Sequence, residues 1–335
     1  MDISVIICTH NPREDYLRRT LDALSAQLLP KEQWELLVVD NASSIELRNT
    51  LDLSWHVNSR YIREEKLGLT QARMRGIRES NGNLLVFVDD DNVLDPNYLG
   101  NSLRIAEERS FLGVFGAGVI EPEFEELPHE KLKPYLAMLA LRSEHQPFWS
   151  NCPDDMCVPW GAGLVVTRSV ADTHLQKVAT SPLQMMLDRK GALLTSGGDD
   201  AFSWTACLMG LGRGVFPQLK VIHLIGRRRL EPDYLLKIAY GIAYSRTLLS
   251  HFYGHPIRPP DDQPTFRTVC QAFFQASISR FFYNGNRWWH NRSIPSFERE
   301  MQASQLNGVR DALSYLEKYH GRQTGVAIEA TGAFK

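Results

Sequence analysis

Three consecutive aspartates, Asp89 to Asp91, directly follow an apolar run, Leu84–Val88. Adjacent carboxylates repel one another, so keeping them together requires a counter-charge, and hard oxygen ligands select Mg²⁺ or Mn²⁺ over softer metals. Because side chains alternate along an extended backbone, Asp89 and Asp91 are expected on one side and Asp90 on the other. The alternative is an acidic surface loop in which Asp95 caps the next helix, but the apolar run ahead of the triplet favours a metal site.

A second pair of acids, Asp199 and Asp200, follows Gly197 and Gly198 and begins a predicted helix that runs through Leu208. Glycines let the backbone approach a ligand closely, and the helix dipole favours the ionised form of an acid in the first turn. The alternative is that Asp199 is simply the N-cap. Both roles are compatible, because one acid can cap the helix while the other takes a proton.

His223 ends another apolar run, and Arg227, Arg228 and Arg229 come shortly after it. A neutral imidazole is a suitable Mn²⁺ ligand beside carboxylates, although a lone histidine is more often structural. Guanidinium groups match phosphate oxygens in geometry and charge, whereas an arginine run is otherwise a solvated surface. This stretch is therefore a candidate partner for the aspartates in a site that binds metal and phosphate.

The first part of the chain alternates predicted strands and helices that could position these residues. The predicted strands are Ile3–Cys8, Leu36–Val39, Arg60–Arg63 and Leu84–Val88, and the predicted helices are Tyr16–Gln27, Leu69–Glu79 and Pro96–Glu108. Asp95 is the expected N-cap of the last helix. This order predicts βαβ units in an α/β fold with a mostly parallel sheet and helices on both faces. Ligands of such sheets bind at the carboxyl ends of the strands.

Farther along, the chain carries two more predicted strands, Gly163–Val166 and Leu219–Leu224. From Glu231 onward the apolar residues recur at helical spacing. The predicted helices of this part are Tyr234–His251, Phe266–Tyr283 and Phe297–Tyr319.

The composition excludes several classes of protein. A chain of 335 residues with 43% hydrophobic and 23% charged residues is typical of a soluble globular protein, and a formal net charge of −2 argues against a nucleic-acid binder. No window approaches the roughly 20 apolar residues of a membrane-spanning helix, and the N-terminus enters a predicted strand without a secretory signal. Five scattered cysteines are too few for a disulfide framework, so we expect a reducing cytoplasm.

Four blocks, in this order and spacing, resemble the family 2 inverting glycosyltransferases of the GT-A fold, within the nucleotide-diphospho-sugar transferase superfamily. The blocks are Ile3–Asn11, Val38–Ser43, Gly68–Gly76 and Val88–Asn92. The resemblance covers about residues 1–225 and implies a Rossmann-like sheet there, with the helical remainder outside it. It implies metal-dependent, inverting transfer of a hexosyl or related group from a nucleoside-diphosphate sugar to an acceptor hydroxyl, in cell-surface polysaccharide or glycan biosynthesis.

The resemblance also implies a domain organisation. We expect a GT-A catalytic domain over residues 1–228, divided into a nucleotide-binding half, 1–110, and an acceptor and catalytic half, 111–228. A helical C-terminal extension is expected over residues 229–325 and a flexible tail over 326–335.

For the donor side of the site, the resemblance implies roles residue by residue. The residues expected to bind the donor nucleotide are Thr9, Asn11, Asp40, Asn41, Arg73 and Asp90. The expected ligands of a divalent cation, Mn²⁺ or Mg²⁺, are Asp89, Asp91 and His223. The diphosphate is expected to contact Arg227 and Arg228.

For the acceptor side, the resemblance implies that Asp200 is the base that deprotonates the acceptor hydroxyl. The residues expected to contact the sugar or the acceptor are Trp160, Gly161, Gly198 and Asp199. Trp160 has an equal alternative as a buried residue at the start of a strand. The acceptor itself is expected to be a glycan or a lipid-linked molecule.

The sequence departs from the family's pattern around the expected base pocket. Asn41 stands where uridine-using relatives often carry an acid, and an amide can either accept or donate a hydrogen bond. Lys66 and Met74 stand where asparagine is frequent, and His10 stands where tyrosine is frequent. A UDP-sugar is the first expectation for the donor, with dTDP- and GDP-sugars as the alternatives.

The stretch from Gln263 to Phe297 contains four arginines interleaved with aromatic residues, and no acid. It could pack against the catalytic domain, lie on the inner face of the membrane with arginine near anionic lipid, or form a homodimer interface. Peripheral membrane contact would suit a lipid-linked acceptor.

Two other functions share some of these features. A sugar-phosphate nucleotidyltransferase should have a glycine-rich, basic phosphate loop after the first strand, whereas Cys8–Arg13 contains no glycine. A non-catalytic carbohydrate-binding relative of the fold should have lost the metal or base acids, and this chain carries both sets.

Overall fold

The computed structural model describes residues 1–152, 157–180, 187, 189, 194–254 and 295–331. Its strands are β1 (Ile3–Thr9), β2 (Trp34–Asn41), β3 (Ser59–Glu64), β4 (Leu84–Val88), β5 (Asn92–Leu94), β6 (Leu112–Phe124), β7 (Arg142–Ser143), β8 (Phe148–Ser150), β9 (Leu164–Thr167) and β10 (Gly212–Ile225). Its α-helices are α1 (Glu14–Ser25), α2 (Leu69–Glu79), α3 (Tyr98–Glu108), α4 (Arg168–Thr180), α5 (Gly198–Leu208), α6 (Pro232–Phe252) and α7 (Pro295–Thr331). The 3₁₀ helices are Lys31–Gln33, Leu47–Asn49, Glu130–Leu139 and Arg227–Leu230.

The ten described strands form one sheet in the order β3-β2-β1-β4-β9-β6-β10-β5, with β7 beside β6 and β8 beside β10. Strands β1 to β4 pair in parallel, as do β6 and β10. Strand β9 runs antiparallel between β4 and β6 and joins these two parallel groups into one sheet. The carboxyl ends of β1, β2 and β4 therefore lie along one edge, where ligands of α/β sheets bind.

Helices cover both faces of the sheet, as the sequence predicts. Alternation along β1 sends Ile3, Val5 and Ile7 into one apolar core and Ile6 into the other. Helices α1, α3 and α6 pack into the first core, and α2, α4 and α5 into the second. Burial on two faces explains why β2 is buried at every position and contains the continuous apolar run Leu36–Val39.

Most predicted elements appear close to their expected bounds. Strand β4 and helix α2 coincide with the predictions, and β1 to β3 extend theirs by one or two residues. The start of α3 was predicted wrongly, because Asp95 is not its N-cap. The Asp95 carboxylate accepts a hydrogen bond from the Asn97 N–H and its carbonyl accepts one from the Tyr98 N–H, so a turn precedes the helix and Asn97 is the N-cap.

Two long helices follow the sheet. The prediction Tyr234–His251 falls within α6 and Phe297–Tyr319 falls within α7, while Phe266–Tyr283 lies outside the described residues. Helix α7 continues to Thr331 and so overlaps the predicted tail, of which residues 332–335 lie outside the description. Among the described helices, none is both long enough and apolar enough to cross a membrane.

Glycines set the close contacts of α6. The Cβ of an alanine at Gly241 would lie 2.0 Å from the Leu194 carbonyl oxygen, in the segment that leads into α5. On the other side, Gly308 of α7 lies against the backbone of α6 at Tyr240. Helix α6 is thus held directly against the main chain ahead of the second acidic pair.

We expect Gly241→Ala to lower the free energy of unfolding by about 1–3 kcal/mol, because overpacking outweighs the better helix propensity of alanine. Gly100→Ala in α3 is the matched control, since a Cβ there meets nothing within 4 Å. Urea unfolding of both variants tests this. A Gly241→Ala protein as stable as the Gly100→Ala protein would show that the close contact with Leu194 is not present.

Candidate active site

The aspartate triplet occupies the turn between β4 and β5. Asn92 shapes this turn, because its amide donates to Asp91 Oδ1 at 2.9 Å and accepts from the Asp89 N–H at 3.3 Å. Strand β5 then pairs antiparallel with β10, which sets Asn92 opposite His223. This pairing brings together two sequence motifs that are far apart in the chain.

The structure gives the carboxylates of the triplet different partners. Thr9 donates its hydroxyl hydrogen to Asp90, across the neighbouring strand ends. Asp91 is buried and lies 3.6 Å from Nε2 of His223, which is also buried. The guanidinium of Arg229 lies against both, with Nη2 at 2.6 Å from Asp91 Oδ2 and Nη1 at 2.7 Å from His223 Nε2.

The pKa values of the triplet follow from these partners. Burial alone would raise the pKa of Asp91, but Arg229 and then His223 more than offset it, so its pKa lies well below the usual range. Burial, with Asp91 adjacent, raises the pKa of Asp90 to about 7 against the hydrogen bond from Thr9. Burial and Asp91 also raise the pKa of Asp89. Among the described residues, the cations near the triplet therefore lower the pKa of only one of its three carboxylates.

The donor set of this site fits a divalent cation. A carboxylate oxygen and an imidazole nitrogen, a combination that suits Mn²⁺, converge on a positively charged group, the Arg229 guanidinium. Within the described ranges, no group of three or more His, Cys, Asp or Glu side chains is placed so that it could hold a metal ion by itself. A metal held by Asp91 and His223 would therefore take its other ligands from phosphate and water, as Mg²⁺ often does.

The second acidic pair lies at the N-terminus of α5 and is tied to helix α2. Asp199 forms an ion pair with Arg73 of α2 at 2.9 Å and accepts a hydrogen bond from the Gly161 N–H at 2.7 Å. A Cβ at Gly161 would lie only 3.0 Å from both Arg73 Nη2 and Asp199 Oδ2, so this position suits glycine. Arg73 and Asp199 also act electrostatically on Asp89, which joins the two acidic motifs in one site.

Asp200 is half-buried in the first turn of α5. Burial raises its pKa to about 6, Asp199 adds to the shift, and the cations Arg246 and Arg213 oppose it. A carboxylate with a pKa near neutrality is well matched to accept a proton.

Helix α6 fixes the segment that carries Asp200. The Ser245 hydroxyl accepts a hydrogen bond from the Ser196 N–H at 3.0 Å, and Tyr253, just after the helix, donates to the Ala201 carbonyl at 3.1 Å. Gly197 leaves room for Ser245, because a Cβ there would lie 3.0 Å from the serine Cβ. The helical extension therefore contributes directly to the geometry of the acidic pair.

The loops after β1 and β2 are linked by side-chain hydrogen bonds. Asn11 has a φ of 49°, which asparagine tolerates. Its side-chain oxygen accepts from the Ser44 N–H at 2.8 Å, and its own N–H donates to the Ser43 hydroxyl oxygen at 2.9 Å. His10 donates from Nδ1 to the Asn41 carbonyl at 2.7 Å and accepts at Nε2 from the Asn11 amide at 3.0 Å, an assignment that follows from the partners. This leaves His10 exposed at the strand ends with a fixed orientation.

The side chain of Asn41 is engaged by the loop before α2. Its amide nitrogen donates to the Lys66 carbonyl at 2.7 Å, and its amide oxygen accepts from the Gly68 N–H at 2.8 Å. These contacts hold the loop that begins α2, and therefore Arg73, in place. The interaction between Asn41 and a nucleotide base stays a prediction.

Asp40 is fully buried, and both of its carboxylate oxygens accept hydrogen bonds from the protein. Oδ1 accepts from the Ser43 N–H at 3.1 Å, and Oδ2 accepts from Tyr61 and Arg63, each at 2.8 Å. Burial alone would raise the pKa of Asp40, but these hydrogen bonds outweigh it and lower the pKa. In the structure Asp40 therefore organises the loop after β2.

Trp160 is partly buried against the core. The guanidinium of Arg142, itself buried, stacks 3.9 Å from the Trp160 ring centroid and donates to the Val158 carbonyl at 2.9 Å. Burial lowers the pKa of Arg142 to about 10. Because the guanidinium covers one face of the ring, a sugar cannot stack on that face.

Among the three consecutive arginines, the structure singles out Arg229. Arg227 is exposed, with its guanidinium 3.5 Å from Glu126 and its N–H bonded to Glu125, while Arg229 lies between Asp91 and His223. Sequence reasoning assigned phosphate contacts to Arg227 and Arg228 and missed this arrangement, as it missed Arg142 under Trp160 and Ser245 under the Asp200 segment. The apolar residue after Arg229, the buried Leu230, was a usable signal that the turn faces inward there.

The structure has a GT-A type fold, with an acidic turn at the carboxyl edge of the parallel strands β1 to β4 and a second acidic pair across from it. Residues 4–163 match the model of the family described as glycosyl transferase family 2. Through this segment the chain is similar to the family 2 glycosyltransferases.

Individual curated relatives are also glycosyltransferases by name. The glycosyltransferase AglE of Haloferax volcanii is 35% identical over 92 residues, which is 27% of this chain and 30% of that protein. The poly(ribitol-phosphate) beta-N-acetylglucosaminyltransferase TarS of Staphylococcus aureus is 27% identical over 144 residues, which is 39% of this chain and 24% of that protein. The chain thus spans less than a third of the length of these curated relatives.

A solved structure shares the fold over nearly the whole chain. It is the mannosyltransferase PcManGT of Pyrobaculum calidifontis in complex with GDP-Man and Mn²⁺, with a TM-score of 0.51 and 16% identity. The match covers 97% of this chain and 79% of the mannosyltransferase. At this identity the likeness concerns the fold alone.

The contacts of Asp40 predict a pH-dependent contribution to stability. Asp40→Asn should lower the free energy of unfolding at pH 7 by about 3 kcal/mol, because it leaves Arg63 and the loop N–H groups without their charged acceptor. The pKa of Asp40 is lowered on folding, so its contribution is present above the unfolded pKa of about 3.9 and is lost as the pH falls through the folded value.

Urea unfolding at pH 7, 5 and 3.5 measures this difference, with Asp22→Asn on the exposed surface of α1 as the control. The difference between wild type and Asp40→Asn should shrink below about pH 4. A difference that is already absent at pH 7 would contradict the assigned structural role.

Proposed function

We propose that the protein is an inverting glycosyltransferase that moves a sugar from a nucleoside diphosphate to an acceptor hydroxyl. The observation that carries the proposal is the electrostatic link between its two acidic motifs, which includes Arg73. Asp199 of α5 pairs with Arg73 of the nucleotide-binding half, and both act on Asp89 of the triplet. The site of the leaving diphosphate and the site of the attacking hydroxyl would therefore be adjacent.

The donor proposed is a nucleotide sugar. Two comparisons support this class: the name of TarS states N-acetylglucosaminyl transfer, and the mannosyltransferase structure contains GDP-Man. Thr9, Asn11 and Asn41 lie in the linked loops at the strand ends, where a nucleotide would bind. A UDP-sugar stays the first candidate, with GDP- and dTDP-sugars as alternatives, because the amide of Asn41 does not dictate one base.

Asp91 and His223 would hold a divalent cation, with Asp89 nearby, and the cation would supply positive charge for the departing diphosphate. Mn²⁺ accompanies GDP-Man in the mannosyltransferase structure, which supports this proposal. Guanidinium groups near the triplet, those of Arg73, Arg189 and Arg229, add to the positive field that a diphosphate would meet.

In the proposed mechanism, Asp200 takes the proton of the acceptor hydroxyl while its oxygen attacks the anomeric carbon. The bond from that carbon to the diphosphate oxygen breaks, and the nucleoside diphosphate leaves with the bonding electrons. Asp199, held by Arg73 and the Gly161 N–H, would position the sugar between the two groups. One displacement from the opposite face inverts the anomeric configuration.

The cytoplasm is the proposed compartment, because Cys8, Cys152, Cys157 and Cys207 are all free thiols in the described part of the chain. A glycan or lipid-linked acceptor, peripheral membrane contact and a homodimer stay predictions. The stretch from Gln263 to Phe297 on which they depend lies almost entirely outside the described residues.

The base assignment predicts a specific loss. Asp200→Asn should lower kcat by about a thousandfold and leave the dissociation constant of the donor nearly unchanged. In wild type, kcat/KM should rise with pH up to about pH 6 and then level off, because the base must be deprotonated and burial raises its pKa to about 6. Steady-state kinetics between pH 5 and 8 measure both.

The control for this experiment is Asp233→Asn, an exposed acid in the first turn of α6. Stability separates a chemical role from a structural one. Because the folded pKa of Asp200 is raised, its ionised form costs stability above that value, so Asp200→Asn should be at least as stable as wild type at pH 8. Normal transfer by Asp200→Asn, or inactivity caused by unfolding, would contradict the assignment.

A thermal-shift panel tests the donor and the metal together. The panel uses UDP, GDP and dTDP, with and without Mn²⁺, on wild type and on Asp91→Ala. One nucleotide should stabilise wild type with Mn²⁺ by about 2.7 kcal/mol at a hundred times its dissociation constant, because it binds only the folded state. Asp91→Ala should lose the Mn²⁺-dependent part. Equal shifts with and without Mn²⁺ would exclude the proposed metal dependence.

A further inference from the structure

Arg229 contacts the same two atoms that the proposed metal would need. Its Nη2 lies 2.6 Å from Asp91 Oδ2, and its Nη1 lies 2.7 Å from Nε2 of His223. Those two acceptor atoms lie 3.6 Å from each other. Because a guanidinium nitrogen can only donate, His223 uses its Nε2 lone pair for Arg229, and that lone pair is the one available to a metal.

Arg229 and a metal ion would compete for these two atoms in a buried site. Asp91 and His223 are buried, and the side chain of Arg229 is 24% exposed, so the three groups share a confined space with little solvent screening. A divalent cation on Asp91 and His223 would meet a positive guanidinium at contact distance. The two cations cannot occupy these acceptors together.

The backbone around Arg229 allows the side chain to move while the turn stays in place. Arg229 lies in the 3₁₀ helix Arg227–Leu230, where its N–H donates to the Gly226 carbonyl at 2.9 Å. Glu125 anchors the same turn by accepting from the Arg227 N–H at 2.9 Å, and Leu230 is buried. A long side chain on a fixed turn can exchange partners by changing rotamers.

We propose that Arg229 occupies the metal position in the free enzyme and exchanges from Asp91 and His223 to the donor diphosphate when the metal binds. This inference rests on the proposed function, since it takes Asp91 and His223 as the metal ligands. Arg229 satisfies the buried carboxylate until a dication replaces it, and the diphosphate then offers the guanidinium a new anionic partner. The metal and the nucleoside diphosphate therefore bind cooperatively. Both require Arg229 to leave Asp91 and His223, so the ligand that binds first removes this cost for the second.

The exchange is tested by measuring the binding of Mn²⁺ alone. Binding is detected as a loss of the electron paramagnetic resonance signal of free Mn²⁺. Arg229→Met should bind Mn²⁺ about tenfold more tightly than wild type, because no cation has to be displaced. Arg104→Met removes one charge from the exposed surface of α3 and should bind like wild type. Arg229→Met binding equal to or weaker than that of wild type overturns the proposal.

Cooperativity gives an independent readout. Addition of UDP or GDP should tighten Mn²⁺ binding to wild type by about tenfold and should tighten binding to Arg229→Met much less. If Arg229→Met does not fold without metal, Arg229→Lys serves in its place, because one ammonium cannot bridge both acceptors and should compete more weakly. Equal cooperativity in wild type and in the variant that is used overturns the exchange.

The outcomes separate this inference from the proposed function. If Mn²⁺ binds wild type, Arg229→Met and Arg104→Met with the same affinity, and Asp91→Ala abolishes binding, the metal site stands and the exchange is wrong. If none of these proteins binds Mn²⁺ with or without a nucleoside diphosphate, the metal site itself is wrong and both proposals fall.

Discussion

Negative charge buried at the end of β4 is the constraint on which the rest of the site depends. Asp91 is buried in this turn, where an unpaired carboxylate would cost several kcal/mol. Pairing of β5 with β10 brings His223 beside it, and the turn after β10 then supplies Arg229. Strand β5 therefore allows the acidic triplet to be buried, because its antiparallel pairing with β10 places His223 and Arg229 beside Asp91.

The second acidic pair depends on a different support. Asp199 and Asp200 begin α5, but the preceding segment is held by α6 through Gly241 and Ser245. Helix α6, which lies outside the sheet, thus helps to fix the position of the acid pair, while the ion pair between Asp199 and Arg73 holds it to α2. Movement of α6 would be transmitted to Asp200 through backbone contacts, so the helical extension belongs to the active site in a physical sense.

Local apolar patterns predicted strands β1 to β4 and helices α1 and α2 close to their observed bounds, but they did not predict β5, β6, β7 or β8. The sequence was also less informative where a side chain can bond to more than one neighbouring group. Asp95 bonds to its own turn and delays α3, and the direction of each arginine in a 3₁₀ turn depends on which neighbour is buried. Asp40 and Asn41 are bound by loop backbone groups that no spacing rule places.

The two kinds of acid in this site differ in environment, although all are aspartates. Arg229 and His223 outweigh burial at Asp91 and keep its pKa low, whereas at Asp200 burial outweighs Arg246 and Arg213 and raises the pKa to about 6. A carboxylate that must bind a cation has to stay ionised, and one that must accept a proton needs a pKa near neutrality. Arg229 lies in contact with Asp91, whereas Arg246 is exposed. For this reason the pKa is lowered at Asp91 and raised at Asp200. That difference in environment is the strongest physical reason to assign cation binding to Asp91 and proton transfer to Asp200.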